Sequence, residues 1–380
     1  MKCVMAIDSF KGSLSSLEVG EAAKRGILQD LPNAEVDIVP MADGGEGTIE
    51  ALLYVNKGKK IPVSVHSPIM EIVEAEYAVF EYNGIQHVFI ECAQSTGLPL
   101  VPPAKRNPLN TNSYGLGEQI KDAIQKGYRH FILSLGGSAT NDAGCGMLQA
   151  LGWEFYNKNG EKLSHHGNPL LEVYDFSDQH VLPELKECTF IVANDVNNPF
   201  YGEKGAAYVF ARQKGASDRD IEVLDQAMRR FAGLIKEHLG IEVQNIPGAG
   251  AAGGLGGGIA SFLQGEMKPG VEMVMELVGL KEKIRDADLV ITGEGSLDRQ
   301  SSMGKVPYGV ARLAKQFGIP VIGIAGRIDH DLGELNKVLD AAFSIQTECL
   351  PLEEAMKFEV ASKQIEVTMS QIIRLIQAVK

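Results

Sequence analysis

In the first part of the chain, short apolar runs alternate with segments whose apolar residues recur every three or four positions. Ser15 and Glu18 match a capping box at the start of one such segment, in which Val19, Ala23 and Ile27 share a face. The predicted elements are, in order, the strand Lys2–Ile7, a helix from Ser15 to Leu31, the strand Val36–Val39, the Gly-rich turn Ala42–Thr48 and a helix through Tyr54. This β-α-β-α order predicts a parallel sheet with helices on both faces and ligands at the carboxyl ends of its strands.

The pattern changes in the middle of the chain, where strand-like runs follow one another without helices between them. Tyr82-Asn83-Gly84 is typical of the tight turn that joins antiparallel strands. The predicted strands here are Lys60–His66, Glu71–Glu81 and Gln86–Cys92. They are followed by a helix over Ser113–Lys126, the strand His130–Leu135, a helix ending near Gly152, the strand Cys188–Ala193 and a long helix from about Asp220 to Leu239.

Strands and helices alternate again towards the C-terminus. The predicted elements are the strand Leu289–Thr292, a helix from about Val306 to Phe317, the strands Val321–Ala325 and Ala341–Ile345, and a final helix with Val360, Ile365, Met369, Ile372 and Ile376 on one face. Because the ends of a doubly wound domain often meet, residues 1–65 and 270–380 are predicted to form one Rossmann-like α/β domain with a parallel sheet. Residues 66–269 are predicted to form a second, mixed α/β domain inserted into it, with antiparallel strands.

Composition agrees with a globular protein of two domains and narrows the choice of partners. The chain has 380 residues, more than one hydrophobic core usually holds, with 44% hydrophobic and 22% charged residues. A formal net charge of −13, with no Lys/Arg-rich run, argues against a nucleic-acid partner. A small anionic substrate is compatible with this charge, because a few local donors override the average field.

Cysteine usage and hydropathy predict a cytoplasmic protein without a membrane partner. No apolar window is long enough to cross a bilayer, and the first apolar stretch is too short for a signal peptide. The five cysteines are widely spaced and predicted to be buried thiols, which fits a reducing compartment. The sequence predicts no particular oligomeric state.

Gly, Ser, Thr, Asn and Asp follow the end of a predicted strand at several places. One interpretation is structural, because these residue types are ordinary helix caps and turn formers. The other is phosphoryl transfer, which needs backbone N–H groups for phosphates, carboxylates for Mg²⁺ and a base for a hydroxyl nucleophile. The turns are Asp8–Ser13, Asp43–Thr48, Gly136–Asp142, Asn194-Asp195 and Gly293–Asp298.

Two other motifs fit the sequence less well than the turns described above. A Walker A loop would need Ser or Thr after Gly304-Lys305, where the chain has Val306. Gly248–Gly253 matches the GxGxxG dinucleotide fingerprint, but a polar stretch precedes it where a buried strand belongs. An NAD-dependent dehydrogenase therefore stays an alternative carried by this segment alone.

Six long motifs resemble the bacterial glycerate kinase family, specifically the type-1 glycerate 2-kinases, over nearly the whole chain. The motifs are DSFKGS, ADGGEGT, LGGSATNDAGCGMLQALG, NDVNNPFYGEKGAAYVFARQKGA, PGAGAAGGLGGG and ITGEGSLDRQSSMGKVPYGVA, beginning at Asp8, Ala42, Leu135, Asn194, Pro247 and Ile291. The resemblance implies ATP-dependent phosphorylation of D-glycerate, usually to 2-phosphoglycerate, by a two-domain α/β protein with a cleft between its domains. The segments NDAGCG and ANDV depart slightly from the expected pattern, without loss of a polar group. A glycerate 3-kinase remains the nearer alternative.

Residue types suggest chemical roles within this reaction. Asp195 is the predicted general base, with an Asx turn as the alternative, while Lys11 and Lys305 are predicted to pair with the substrate carboxylate or the transferred phosphate. Arg212 and Lys214 are lower-ranked candidates for the same roles, with a solvated turn as the alternative. The residues predicted to contact the substrate are Asp8, Ser9, Asn194, Gly295 and Ser296.

The remaining predictions concern ATP and Mg²⁺. The N–H groups of Gly136, Gly137, Ser138 and Ala139, with the hydroxyls of Ser138 and Thr140, are predicted to hold the nucleotide phosphates. Asp43 and Asp298 are the predicted metal carboxylates, with Asp8 and Glu294 as second choices. Ser301 or Ser302 is predicted to cap the next helix. The two domains are predicted to close around the substrate to exclude water.

Overall fold

A computed structural model describes residues 1–302 and 304–379 of the chain. The strands are β1 (Lys2–Ile7), β2 (Glu35–Ile38), β3 (Gly58–His66), β4 (Ile72–Tyr82), β5 (Ile85–Glu91), β6 (His130–Ser134), β7 (Glu154–Tyr156), β8 (Asp175–Ser177), β9 (Thr189–Ala193), β10 (Glu266–Lys268), β11 (Leu289–Leu297), β12 (Val321–Ile328) and β13 (Ala341–Ser344). The helices are α1 (Ser16–Asp30), α2 (Thr48–Val55), α3 (Ala93–Thr96), α4 (Tyr114–Gln125), α5 (Cys145–Ala150), α6 (Ala206–Phe210), α7 (Asp218–Leu239), α8 (Ala251–Phe262), α9 (Gly270–Leu277), α10 (Leu280–Ile284), α11 (Val306–Gln316), α12 (Leu352–Ala355) and α13 (Phe358–Val379).

The chain divides into two compact units. Unit 1 comprises Met1–Lys57 and Pro269–Lys380, and unit 2 comprises Gly58–Lys268. The first boundary falls after Lys57 rather than after residue 65, because β3 pairs antiparallel with β4 along its whole length.

Unit 1 is built around a parallel sheet with the strand order β13-β12-β11-β1-β2. Met5 and Ile7 of β1 are buried against apolar residues of α1 and α13, including Val19, Ile365 and Met369. The predicted capping box forms, since the Ser15 side chain accepts from the Glu18 N–H and the Glu18 side chain accepts from the Ser15 N–H. The structure confirms the predicted α/β fold class, with strands from both halves of unit 1 in one sheet.

Unit 2 has a mixed sheet with the strand order β10-β9-β6-β5-β4-β3. The consecutive strands β3, β4 and β5 are antiparallel, as the sequence predicts, whereas β5, β6, β9 and β10 run parallel. The central strands carry buried residues on both faces, among them Phe89, Phe131 and Val192, as expected for parallel strands covered by helices.

Strand β11 is longer than predicted and corrects the sequence interpretation of Gly293–Asp298. This segment was expected to be a turn after Thr292, but the strand continues to Leu297. Glu294 pairs with Ala325 and Leu297 pairs with Ile328, so the neighbouring strand holds the glycine-containing segment extended. The turn begins at Asp298 instead.

The structure also tests the predictions about buried cysteines and membrane-spanning helices. Cys3, Cys92 and Cys145 are buried as predicted, Cys188 is half-buried and Cys349 is exposed, so burial of every thiol was a wrong prediction. Among the described residues, no helix is both long and apolar enough to cross a membrane.

Candidate active site

A cavity of about 670 Å³ lies at the carboxyl edge of the unit 1 sheet. Segments that follow or end β1, β2, β11, β12 and β13 line it. The chain passes from β1 to β2 on one side and returns through β11 on the other, which makes the β1–β11 junction a topological switch point, where open α/β sheets bind ligands. The predicted site residues that line this cavity are Asp8, Ser9, Lys11, Asp43, Glu294, Gly295, Ser296, Asp298 and Lys305.

Asp8 directly follows β1 and is the most buried carboxylate of the cavity wall, with 6% of its surface exposed. Its Oδ1 accepts a hydrogen bond from the Ser9 N–H at 2.6 Å. Burial raises the pKa of Asp8 to about 7, and the negative charges of Asp43 and Glu294 act in the same direction. The Ser9 N–H and the charge of Lys11 oppose this rise in the pKa. Asp8 therefore changes its protonation state near neutral pH.

Glu294 and Lys305 form an ion pair beside this carboxylate. Lys305 Nζ lies 3.2 Å from Glu294 Oε2. The other carboxylate oxygen, Oε1, is buried and has no hydrogen-bond partner among residues 1–302 and 304–379. A buried acceptor without a partner is costly. The geometry thus presents one cation and one unsatisfied oxygen to the same cavity.

Asp43 and Asp298 each use one oxygen to hold a local turn. Asp43 Oδ1 accepts from the Gly45 N–H at 3.1 Å, and Asp298 Oδ1 accepts from the Gln300 N–H at 2.7 Å. Ser301 bonds back to Asp298, so Ser301 does not cap α11, whose N-cap position is Lys305 without a capping side chain. This part of the prediction was wrong, and the side chain of Ser302 lies outside the description.

The carboxylates of this cavity are better suited to bind Mg²⁺ together with a phosphate than to hold Mg²⁺ by themselves. Within the described ranges, no group of three or more His, Cys, Asp or Glu residues is arranged to hold a metal ion. Mg²⁺ usually keeps several waters and takes one or two protein carboxylates together with phosphate oxygens. Asp43 and Asp298 offer that number, and the unsatisfied Glu294 Oε1 offers a further oxygen.

The second group of predicted site residues lies in unit 2, in the turn that follows β6. Lys214 reaches into this turn and donates to Ser138 Oγ at 3.0 Å and to the Thr140 carbonyl oxygen at 2.7 Å. Only 2% of Lys214 is exposed, and burial lowers its pKa to about 7 against the opposing charge of Asp142. Of the two interpretations of Lys214, the solvated one is wrong. Nothing in Gln213-Lys214-Gly215 itself distinguishes a buried lysine.

The N–H groups of this turn are not equivalent. The Ala139 N–H donates to the Thr96 carbonyl oxygen at 2.7 Å, so it does not reach a phosphate in this conformation. Gly136 and Gly137 are exposed, whereas Ser138 and Thr140 are buried. Thr140 Oγ1 has no hydrogen-bond partner in the described part of the chain. A phosphate would find exposed backbone at Gly136 and Gly137.

Asn194 and Asp195 follow β9, also in unit 2, and are not among the residues that line the cavity of unit 1. Asn194 forms an Asx-type turn, since its Nδ2 donates to the Val196 carbonyl oxygen at 2.7 Å and its Oδ1 accepts from the Val196 N–H at 3.2 Å. Asp195 is exposed at the tip of this turn. Arg212, ranked lower by sequence, is exposed and paired with Asp218.

Gly248 and Gly253 allow the chain to pack closely against two turns of unit 2, Asn194-Asp195 and Gly136–Asp142. A Cβ on Gly248 would lie 2.1 Å from Asn194 Nδ2, and a Cβ on Gly253 would lie 2.1 Å from the Thr140 carbonyl oxygen. The segment follows the 3₁₀ turn Val243–Asn245 rather than a strand. The strand that a dinucleotide fingerprint requires is therefore missing from the described fold at this position.

Replacing Gly253 with alanine is expected to destabilise unit 2 by a few kcal/mol. The residue has φ +72°, and the added carbon would meet the backbone of the Gly136–Asp142 turn. Thermal unfolding of the variant measures the effect. Gly233→Ala is the matched control, because Gly233 lies on α7 with open space around it and should gain stability from alanine. Equal melting temperatures for the two variants would contradict the packing role.

The sequence profile of the Glycerate kinase family matches residues 3–377. The chain belongs to the glycerate kinase family. A protein of Halalkalibacterium halodurans named Glycerate kinase is 44% identical over 97% of this chain and 98% of the relative. The Glycerate 2-kinase of Escherichia coli K12 is 44% identical over 94% of this chain and 93% of the relative.

Solved structures agree with this assignment. The crystal structure of a protein assigned as glycerate kinase 2 from Salmonella typhimurium LT2 has a TM-score of 0.90 and 41% identity, and the match covers 100% of this chain and 98% of that chain. The family resemblance recognised in the sequence is thus confirmed, and the protein is an enzyme of a kinase family. A dehydrogenase built on Gly248–Gly253 has no support in these comparisons.

Sequence reasoning missed one wall of the unit 1 cavity. This wall follows β13 and carries mainly apolar side chains, which no catalytic motif marks. Its members are Ile345, Gln346, Glu348, Cys349, Leu350, Leu352, Ala355 and Met356. Their only sequence signal is position, since they follow a strand of the same parallel sheet.

Proposed function

We propose that the protein transfers the γ-phosphoryl group of ATP to the 2-hydroxyl of D-glycerate, which yields 2-phosphoglycerate and ADP. The observation that carries this proposal is the cavity at the switch point of the unit 1 sheet, where Lys11 and Lys305 share one wall with several carboxylates. Family membership and the name of the Escherichia coli relative, Glycerate 2-kinase, support the substrate and the position of transfer.

D-Glycerate carries one carboxylate and two hydroxyls, and the polar end of the cavity complements both kinds of group. Lys11 is exposed and is proposed to pair with the carboxylate, while Lys305 takes the incoming phosphate. Ser9 and Ser296 supply hydroxyls, and Gly295 allows the substrate to approach the backbone of β11. Lysine acts as a point charge in both places.

The substrate hydroxyl must lose its proton as the phosphoryl group is transferred. Asp195 is the proposed general base, with Asn194 holding the turn that presents it. Asp8 is a second candidate, because it lines the cavity and its pKa of about 7 suits a base that works at neutral pH.

Exposed backbone at Gly136 and Gly137, with the hydroxyls of Ser138 and Thr140, is proposed to bind the ATP phosphates. Lys214 holds this turn in shape through Ser138 and Thr140 and adds positive charge when protonated. Mg²⁺ would be held by Asp43 and Asp298, and when bound it neutralises charge on the phosphates. Substitution variants separate these roles from one another.

The decisive experiment follows ADP release with D-glycerate, ATP and Mg²⁺, and passes the product to enolase without phosphoglycerate mutase. Enolase accepts only the 2-phosphate, so ADP release together with enolase turnover is the expected result. ADP release without enolase turnover would establish transfer to the 3-hydroxyl. Absence of glycerate-dependent ADP release would overturn the proposed function.

A further inference from the structure

The unit 1 cavity is larger and less polar than glycerate alone requires. Its volume of about 670 Å³ falls within the roughly 300–1,000 Å³ typical of sites for drug-sized ligands. Glycerate is a small, wholly polar acid, with no apolar group to place against the wall that follows β13. The apolar wall is suited to a chemical group of a different class, which another ligand would supply.

The apolar wall consists of Ile345, Leu350, Leu352, Ala355 and Met356. Leu352 has 74% of its surface exposed, although it is a large aliphatic side chain beside other apolar groups. A flat ring would cover such a surface, and methionine is well suited to contact it because its thioether is flexible and polarizable.

Two details connect this wall with the polar part of the cavity and with a heterocycle. Met356 Cε lies 3.0 Å from where a Cβ on Gly12 would be, so the apolar wall directly adjoins the Asp8–Ser13 turn. Gln346 lies in the same lining and is exposed. Its amide carries both a donor and an acceptor, the pair with which glutamine recognises adenine.

We infer that the wall formed by Ile345, Leu350, Leu352, Ala355 and Met356 binds the adenine base of ATP. The base then lies in the same cavity as Lys305, which is proposed to take the incoming phosphate. This inference rests on the proposed function and adds the site of the nucleoside. It concerns the base alone and does not depend on which N–H groups of unit 2 hold the phosphates.

Leu352→Asn tests the wall without adding charge near the phosphates. The KM for ATP is expected to rise roughly tenfold, as for loss of one apolar group in a binding pocket, with the KM for D-glycerate nearly unchanged. Leu375→Asn is the matched control, since Leu375 is an exposed leucine of α13 outside the cavity lining. A KM for D-glycerate that rises as much as that for ATP overturns the inference.

A second measurement is independent of turnover. Cys349 is an exposed thiol in the same lining, so adenosine is expected to slow its labelling by a maleimide, whereas D-glycerate alone leaves the rate unchanged. The Cys349→Ser variant identifies the labelled residue. Absence of protection by adenosine overturns the inference even when the enzyme phosphorylates glycerate. If glycerate-dependent ADP release is absent, the proposed function fails, but protection by adenosine still establishes the nucleoside site.

Discussion

Replacing Asp8 with asparagine is expected to stabilise the protein at pH 8 while lowering its kinase activity, because Asp8 is a predicted substrate contact and the second candidate for the base. Asp8 has a pKa of about 7 in the folded protein, against an ordinary value of 3.8. Between these values the folded state binds more protons than the unfolded state, so stability falls as pH rises from about 4 to about 7. At about 1.4 kcal/mol per pKa unit, this loss reaches at most about 4 kcal/mol.

The asparagine side chain keeps an oxygen for the Ser9 N–H but carries no charge. The variant therefore does not lose this stability as the pH rises. Thermal unfolding with a chelator present, at pH 5 and at pH 8, measures the effect. The variant should exceed the wild type clearly at pH 8 and much less at pH 5. Asp286→Asn is the control, because Asp286 is an exposed aspartate of unit 1. A difference that is the same at both pH values would contradict the explanation.

Asp195→Asn is expected to lower kcat by about 10²–10⁴ and to leave the KM for both substrates within a fewfold of wild type. Asparagine has nearly the size of aspartate but does not accept a proton, and general base catalysis contributes a factor of this order. Steady-state kinetics with each substrate varied in turn provide the measurement.

Asp178→Asn is the matched control for this variant, since Asp178 is an exposed aspartate in another turn of unit 2. Its kcat should equal that of the wild type. A near-normal kcat for Asp195→Asn would remove Asp195 as the base, and Asp8 would then become the first candidate. Substitution of the buried Asp8 is also expected to change the pH dependence of stability.

Most of the fold was predictable because local signals and tertiary structure agree. No other local signal competes with the capping box at Ser15 or with the apolar face of α13, and both formed as expected. The prediction failed at Gly293–Leu297, where glycines and polar residues indicated a turn. Pairing with β12 keeps this segment extended, and such pairing depends on a neighbour that local sequence does not reveal.

Part of the candidate site was predictable, because residues that follow the strands of one parallel sheet lie at the same edge of that sheet. Asp8, Asp43 and Asp298 are far apart in sequence, yet each follows a strand of the same parallel sheet, and all three line one cavity. Burial of Lys214 was not predictable, because it depends on contacts with a turn distant in the chain. The roles of Asp195 and of a cleft that closes between the domains stay predictions.

The pairing of β1 with both β2 and β11 determines when the unit 1 cavity first exists. Strands β1 and β2 precede unit 2 in the chain, whereas β11, β12 and β13 follow it. During synthesis, unit 2 is a continuous segment and has every strand of its sheet before β11 leaves the ribosome. Until then β1 has one open edge, and Asp8 lacks the part of the cavity lining that β11 supplies. The cavity is therefore expected to be complete only after β11, β12 and β13 have joined β1 in one sheet, and a chain that still lacks these strands is expected to be inactive.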